Sequence, residues 1–279
     1  MSTRTTTAVL MASGLFIVSS GTARADYMSE VLADGPAAYF RMNEYYGTEA
    51  INSAVPSFPS GTYVNSPLLG QPSDPRAIPG ALGTSVEFGT GSFPATNQAI
   101  SVPQMITSYQ GVTWEFWMNA DSFDTWTAIF NHDEWNYGSV HCQFTGNRPQ
   151  VGINGASPGY NFTFSTRFDT QRWYYVVLAL SAVDASIDLY VDGEWEETVS
   201  KNSIPSPINI ASGEIANWND KRNLDGRYDE MAVYTYKLSD DRVRAHWEAA
   251  TIPEPSTLVL LIAGALGLVG FARRRRKGR

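Results

Sequence analysis

The 279-residue chain has one cysteine, three histidines and few basic side chains in its long middle. A single cysteine, Cys142, excludes an intramolecular disulfide, so in an oxidising compartment the fold rests on apolar burial. It also excludes the paired-cysteine spacings of zinc sites. Cys142 alternates with its neighbours in Ser139-Val140-His141-Cys142-Gln143-Phe144 as a strand residue does, which predicts a buried, inert thiol. The histidines offer no i, i+4 pair of the kind a helical zinc site uses. His132 belongs to the polar turn Asn131–Trp135, His141 to a strand and His246 to a helix, and each reads as a loop or packing residue. Heptads and a helical repeat are also absent.

What is present begins at the two ends. Arg4, the apolar run Ala8–Ser20 and Ala23-Arg24-Ala25 have the order of a secretory signal peptide covering residues 1–25. At the other end Pro253-Glu254-Pro255 precedes an uncharged apolar stretch, residues 256–272, and a basic tail, residues 273–279. A run of about 17 residues is at the short end of what spans a bilayer as a helix. Arginines beyond it resist translocation, so the preceding body faces outward. That body, residues 26–252, carries 12 basic and 27 acidic side chains, a net charge of −15. Such a surface repels nucleic acid and anionic lipid and favours solubility and cation binding.

Within the body, short apolar and aromatic runs recur between Gly, Pro, Asn, Asp and Ser clusters. They include 37–42, 85–88, 99–102, 112–118, 128–131, 140–144, 150–153, 161–164, 173–180, 186–191 and 227–234. This spacing predicts an all-β, two-sheet antiparallel sandwich of jelly-roll type. Alternation places Val112, Trp114, Phe116 and Met118 on one face and Glu115 and Trp117 on the other. Trp173–Leu178 is apolar on both faces, as an interior strand is, and Asp192-Gly193 marks a hairpin turn. A short closing helix follows Ser239, its N-cap, with Leu238 stapled onto Val243 and Val243 sharing a face with Trp247.

Two resemblances join these readings. Pro253-Glu254-Pro255, the short apolar helix and the Arg-rich end resemble the PEP-CTERM sorting signal of Gram-negative bacteria. That implies an exosortase-type membrane protease as partner. It also implies a C-terminus first held in the inner membrane, with the mature form at the cell surface or in the extracellular matrix. Val31–Glu44, Val112–Trp117, Trp173–Val177, Leu189–Gly193 and Leu224–Tyr234 together resemble the laminin G-like branch of the concanavalin A-like lectin/glucanase superfamily. The family often holds a structural calcium, and position implicates Glu44 and Asp229 as its ligands.

The same superfamily includes laminarinase-type glycoside hydrolases, which need two carboxylates facing each other across the scissile bond. No Glu-x-Asp-x-x-Glu or Glu-x-Asp-x-Glu run occurs here. Asp188, Asp192 and Glu194 straddle a turn, the side chains of Asp229 and Glu230 should oppose each other across a strand, and Glu115 lacks a partner on its own strand. No catalytic residue is therefore assigned. Trp126, Trp135, Tyr137, Trp195 and Trp218 fall in or beside turns, where rings can stack on sugar faces. Asn131, Asp133, Asn136, Asn217 and Asn219 lie near them as hydroxyl partners. The expectation is a non-catalytic exported module that binds a polysaccharide or a surface protein. Its rivals are a glycoside hydrolase and a structural adhesion protein with no small ligand.

Overall fold

A computed structural model describes residues 26–54, 58–78, 80–89, 97–132, 136–155, 160–218, 222–252, 264 and 266–268. The signal peptide, Trp135, the Pro253-Glu254-Pro255 motif and all but four residues of the expected membrane helix lie outside this set. Among the described residues no helix is long and apolar enough to cross a membrane. The chain divides into Met1–Arg24 with Glu254–Arg279, and Ala25–Pro253, and the sandwich lies in the second.

Two antiparallel sheets form it. Sheet A runs β14 (Glu194–Ser200), β13 (Ser186–Val191), β12 (Trp173–Ser181), β7 (Gly111–Ser122), β16 (Asp225–Tyr234), β5 (Thr84–Phe88) and β4 (Leu68–Pro72), and β1 (Ala38–Phe40) also pairs with β16. Sheet B runs β11 (Tyr160–Thr163), β10 (Arg148–Ile153), β9 (Val140–Thr145), β8 (Thr125–Asn131) and β15 (Ile208–Ile215). It continues through β6 (Ala99–Ser108), β3 (Gly61–Val64) and β2 (Glu49–Ala50). Neighbouring strands are far apart in sequence at β12–β7–β16 and β8–β15–β6, so the sheets close through long-range pairing.

The alternation in β7 decides the layering. Val112, Trp114, Phe116 and Met118 point between the sheets, into a core shared with Phe130, Val140, Cys142 and Phe144 of sheet B. Cys142 is fully buried there as a free thiol, and burial raises its pKa well above the usual thiol range. Trp117 points the other way, into a second apolar layer beneath two helices. One is α2 (Asp240–Thr251), with Ser239 at its N-cap and Leu238, Val243 and Trp247 packed in that layer, as the sequence predicts. Ser239 makes no side-chain capping bond, so the cap rests on backbone geometry.

The other helix, α1 (Tyr27–Ala33), has no counterpart among the sequence-predicted elements. It is only 7 residues long, too short for helical periodicity to register. Asp26 caps it by accepting a hydrogen bond from the Ser29 amide at 2.8 Å. Asp192 and Gly193 both have positive φ, 52° and 82°, and form the expected hairpin turn. The Trp247 ring lies against Gly193, where a Cβ would come within 2.6 Å of Cγ. That glycine therefore serves both the turn and the helix docking.

Candidate functional site

The polar groups divide between the two outer faces of the sandwich. On sheet A they are sealed beneath α1 and α2. Glu115 accepts hydrogen bonds from the hydroxyls of Tyr27 at 2.8 Å and Tyr234 at 2.9 Å. His246 lies across it, with Nδ1 2.9 Å from Glu115 Oε2 and Nε2 3.0 Å from Asp34 Oδ2. Arg242 extends the chain, donating to Asp34 at 2.7 Å and Glu30 at 2.6 Å. Burial alone would lower the His246 pKa, but the charge of Glu115 and the hydrogen bond to Asp34 outweigh it and raise the pKa to about 9. Burial pushes Glu115 upward, and His246 with the two tyrosines outweighs that and holds the carboxyl below its usual range. The imidazolium thus bridges two carboxylates in a fully enclosed setting, with both Glu115 and His246 at 0% exposure. Glu115 has partners after all, contributed by other elements, and His246 is more than a packing residue.

The late strand carries a second sealed group. A register shift between Asp229 and Ala232, with Glu230 at φ 52°, breaks the alternation of β16. The two carboxyls do not simply oppose each other across the strand as the sequence suggests, because the bulge brings both into the buried layer. Glu230 accepts from Arg41 Nη2 at 2.8 Å and from the Tyr39 hydroxyl. Asp229 accepts from the Ser73 hydroxyl through one oxygen, and its other oxygen, Oδ1, is buried with no partner. Glu44 is occupied at both oxygens, by the Ile51 amide at 2.9 Å and the Tyr63 hydroxyl at 2.7 Å.

The outer face of sheet B is different. Both described helices pack on sheet A, so neither covers this face. Strand pairing aligns Glu49, Thr62, Ser101, Glu214, Asn131, His141, Gly152 and Asn161 in one row across it. A Cβ at Gly152 would run into the His141 ring, so that glycine leaves the imidazole room to lie over the sheet. Beside this row is a cleft of about 310 Å³, within the range of small-ligand sites. Its floor is a ladder of side chains. Arg222 Nη1 donates to Gln143 Oε1 at 2.7 Å, Gln143 Nε2 to Gln150 Oε1 at 2.9 Å, and Gln150 Nε2 to Thr163 Oγ1 at 2.6 Å.

Trp126 forms one wall. Its φ of 73° and the register shift between Thr125 and Thr127 mark a β-bulge. The bulge turns the indole outward, leaving it 40% exposed. The Arg222 guanidinium carbon lies 5.5 Å from the Trp126 ring centre and 4.1 Å from that of Trp218. The sequence-predicted aromatics therefore do not form one set. Trp126 lines the cleft and Trp218 braces its arginine. Tyr137 stands beside the cleft's end, next to Gly138, whose amide donates to the carbonyl of the lining residue Asn154 at 2.7 Å. Trp195 is on β14 at the edge of sheet A, bonded to Thr198, and belongs to another surface.

Of the candidate hydroxyl partners, Asn131 is in the row, Asn136 is in the turn before β9, and Asn217 accepts from the Arg222 amide at 3.4 Å. Asp133 and Asn219 lie outside the described residues. The residues that sequence reasoning missed are Arg222, His141, Gln143, Gln150, Asn154, Asn161 and Thr163. His141 and Gln143 alternate with the buried Val140 and Cys142, so polar, mostly uncharged side chains at outward strand positions were the available signal. His132, read as a turn residue, is instead buried against Phe130. Burial lowers its pKa to about 4, and Nδ1 donates to the Ser212 carbonyl at 2.6 Å.

Residues 94–244 match the family model described as the concanavalin A-like lectin/glucanases superfamily, and residues 251–277 match the PEP-CTERM protein-sorting motif. Similar solved structures include the binding domain of botulinum neurotoxin DC in complex with SialylT, with a TM-score of 0.53 and 11% identity over 78% of this chain and 52% of that one. The botulinum neurotoxin serotype D binding domain gives a TM-score of 0.52 and 12% identity over the same shares. Domain 4 of AbnA, a GH43 extracellular arabinanase from Geobacillus stearothermophilus, in complex with arabinotriose, gives a TM-score of 0.53 and 15% identity over 76% of this chain and 97% of that one. At these identities the likeness is one of fold. The chain spans about half the length of the neurotoxin binding domains it matches. No curated protein matches it.

Proposed function

The chain belongs to the concanavalin A-like lectin/glucanases superfamily and carries a PEP-CTERM sorting motif, and on that footing we propose that it is an exported, non-catalytic module that binds a glycan on the outer face of sheet B. The motif indicates export through a cell-envelope sorting system. In the proposed route residues 1–25 leave as the signal peptide. Residues 256–272 then hold the C-terminus in the inner membrane until an exosortase-type protease acts at the tail. The mature body works at the cell surface or in the extracellular matrix.

The observation that carries the binding reading is the cleft itself. An outward indole beside a floor of ordered amides offers a sugar both of its recognition surfaces, an apolar face to stack and hydrogen-bonding groups for hydroxyls. The non-catalytic reading rests on the sequence, which has no Glu-x-Asp-x-x-Glu or Glu-x-Asp-x-Glu run to set two carboxylates on one strand face. A glycan array probed with wild type and Trp126→Ala tests the proposal. Retained signals that the substitution removes support it. Silence on the array together with capture of an envelope protein would favour adhesion, and turnover of a β-glucan would favour the hydrolase.

A structural calcium is a separate part of this reading, supported by the unpartnered, buried Oδ1 of Asp229. Asp229 would hold the ion. Glu44 would act at one remove through Tyr63, since its own oxygens are taken. Among the described residues no group of three His, Cys, Asp or Glu side chains could hold a metal, so backbone carbonyls would supply most of the shell. Calcium at about a hundredfold above its Kd should raise Tm by about 5 °C relative to chelated protein. An unchanged Tm would remove the calcium and leave the glycan site untouched.

A further inference from the structure

We infer that Arg222 is the positioning residue of this cleft: it acts on a bound sugar through Gln143 and Gln150, by fixing which way their amides point. This role rests on the glycan reading above and adds to it what sets the hydrogen-bonding pattern of the floor.

The ladder of Gln143, Gln150 and Thr163 has two arrangements with the same number of internal bonds. In the observed one each glutamine nitrogen donates toward Thr163, at 2.9 Å to Gln150 and 2.6 Å to the hydroxyl. In the other both amides are turned over, so that the Thr163 hydroxyl donates to Gln150 and the Gln150 nitrogen to Gln143. Thr163 sets no preference, because a hydroxyl both accepts and donates. Arg222 does set one. A guanidinium has donors only, and its Nη1 lies 2.7 Å from Gln143 Oε1. Turning the ladder over would put the Gln143 nitrogen against it, donor facing donor.

Gln143 and Gln150 both line the cleft, so reversal would exchange nitrogen for oxygen at two positions of its floor. Both are nearly buried, so water is poorly placed to replace a mismatched bond. A site built to hydrogen-bond its ligand rejects one whose donors and acceptors are misplaced, because polar groups are then left unpaired. The arginine is itself held in place. Its carbonyl accepts from the Ala128 amide at 2.8 Å, which pins its backbone beside β8. Its guanidinium carbon lies 4.1 Å from the Trp218 ring centre. Further contacts to the guanidinium would hold it more firmly and leave the ladder's direction unchanged, since that direction follows from donor chemistry and not from net charge. Trp126 owes its outward position to the bulge in β8, so wall and floor are set by different residues.

The test uses the full chain and neutral β-1,4-linked tetramers of glucose, galactose and mannose. Arg222→Lys still offers only donors and should keep affinity for the tetramers that bind within about threefold of wild type. Arg222→Met removes the choice, and two equally populated arrangements should cost about twofold. Arg222→Glu offers only acceptors, so it should turn the ladder over and weaken binding by about tenfold or more. Gln143→Glu keeps Arg222 paired but draws the Gln150 nitrogen toward position 143, and it should weaken binding comparably. It covers the case in which Arg222→Glu fails to fold. Nuclear Overhauser contacts in the sugar-free protein read the direction itself. The Gln150 side-chain amide protons should lie against Thr163 in wild type and against the side chain at position 143 in both glutamate variants. Wild-type affinity in both of those variants, with binding lost in Trp126→Ala, would overturn the positioning role and leave the glycan reading standing. Arg222→Lys losing as much as Arg222→Glu would also overturn it, by making the guanidinium a direct contact. Amide contacts that stay on Thr163 in both glutamate variants would overturn the reversal. If no tetramer binds and a broad glycan array is silent, both readings fall.

Discussion

The two outer faces of this sandwich use polar side chains in opposite ways. Beneath α1 and α2, Glu115 and Glu230 are fully enclosed and paired within the chain, Glu115 by two tyrosines and His246, Glu230 by Arg41 and Tyr39. On sheet B the floor of the cleft is formed by neutral amides ordered by one arginine. The first arrangement costs desolvation and returns a fixed geometry, here the docking of both terminal helices. The second sets two nearly buried amides, Gln143 at 4% and Gln150 at 8% exposure, along the floor of the cleft. The shifted titrations of His246, Glu115 and Glu230 lie on the sealed face, where burial and internal pairing cause them, so there they mark architecture.

If the sealed face is structural, breaking it should cost stability and nothing else. His246→Gln removes the cation between Glu115 and Asp34 at nearly constant volume. Leaving Glu115 buried and short of its main partner should destabilise the fold by about 3–5 kcal/mol, read from denaturant midpoints. Affinity for a glycan, measured while the variant is still folded, should not change.

The same network predicts a pH dependence. The His246 pKa is raised in the folded state to about 9, so its contribution is fully present below about pH 6.5 and is lost as pH rises through 9. About 3 kcal/mol of stability should disappear across that interval. Glu115 and Asp34 are lowered, so their contributions hold above the usual carboxylate range and fail in acid. Unfolding curves at a series of pH values should show the alkaline loss in wild type and not in His246→Gln. An equal alkaline slope in both would detach the titration from this histidine.

On the open face the expected cost shifts from stability to binding. Trp126→Ala should weaken glycan affinity by about tenfold. Its stability penalty should be small, because the ring is already substantially exposed and the change removes no core contact. It also sits at a positive φ that a tryptophan adopts with strain. Trp126→Gly should therefore recover stability relative to alanine while binding as poorly.

Much of the sandwich is legible in local pattern. Period-two alternation in Val112–Met118 assigns both faces of β7 correctly, and Asp192-Gly193 announces its hairpin. What local pattern cannot carry is partnership at a distance. His246 reaches Glu115 across 131 residues of sequence and Arg222 reaches Gln143 across 79. Neither pair has a spacing rule, because topology brings them together. Trp126 was legible as an aromatic near a turn, but the bulge that aims it outward breaks the alternation from which facing is read. Gln143 and Gln150, 4% and 8% exposed, carry no local signal of their role, because the arginine that orders them comes from a distant part of the chain.

The smallest effect tests the comparison most sharply. Trp195 is 56% exposed, more than Trp126, and by exposure alone it would be the better stacking platform. It stands on β14 at the edge of sheet A, where its indole nitrogen donates to Thr198 at 3.1 Å and Glu194, Glu196 and Glu197 flank it. Charges of one sign on an edge strand discourage pairing with another chain, and this strand reads as a guarded edge. Trp195→Ala should change glycan affinity by less than about twofold and stability by less than about 0.5 kcal/mol. Isothermal titration of Trp126→Ala and Trp195→Ala with the same sugar separates ring position from ring exposure. If the two lose affinity equally, recognition is spread over exposed aromatics and the cleft has no privileged role. If only Trp126→Ala does, the ordered amide floor, and not the indole by itself, distinguishes the binding face.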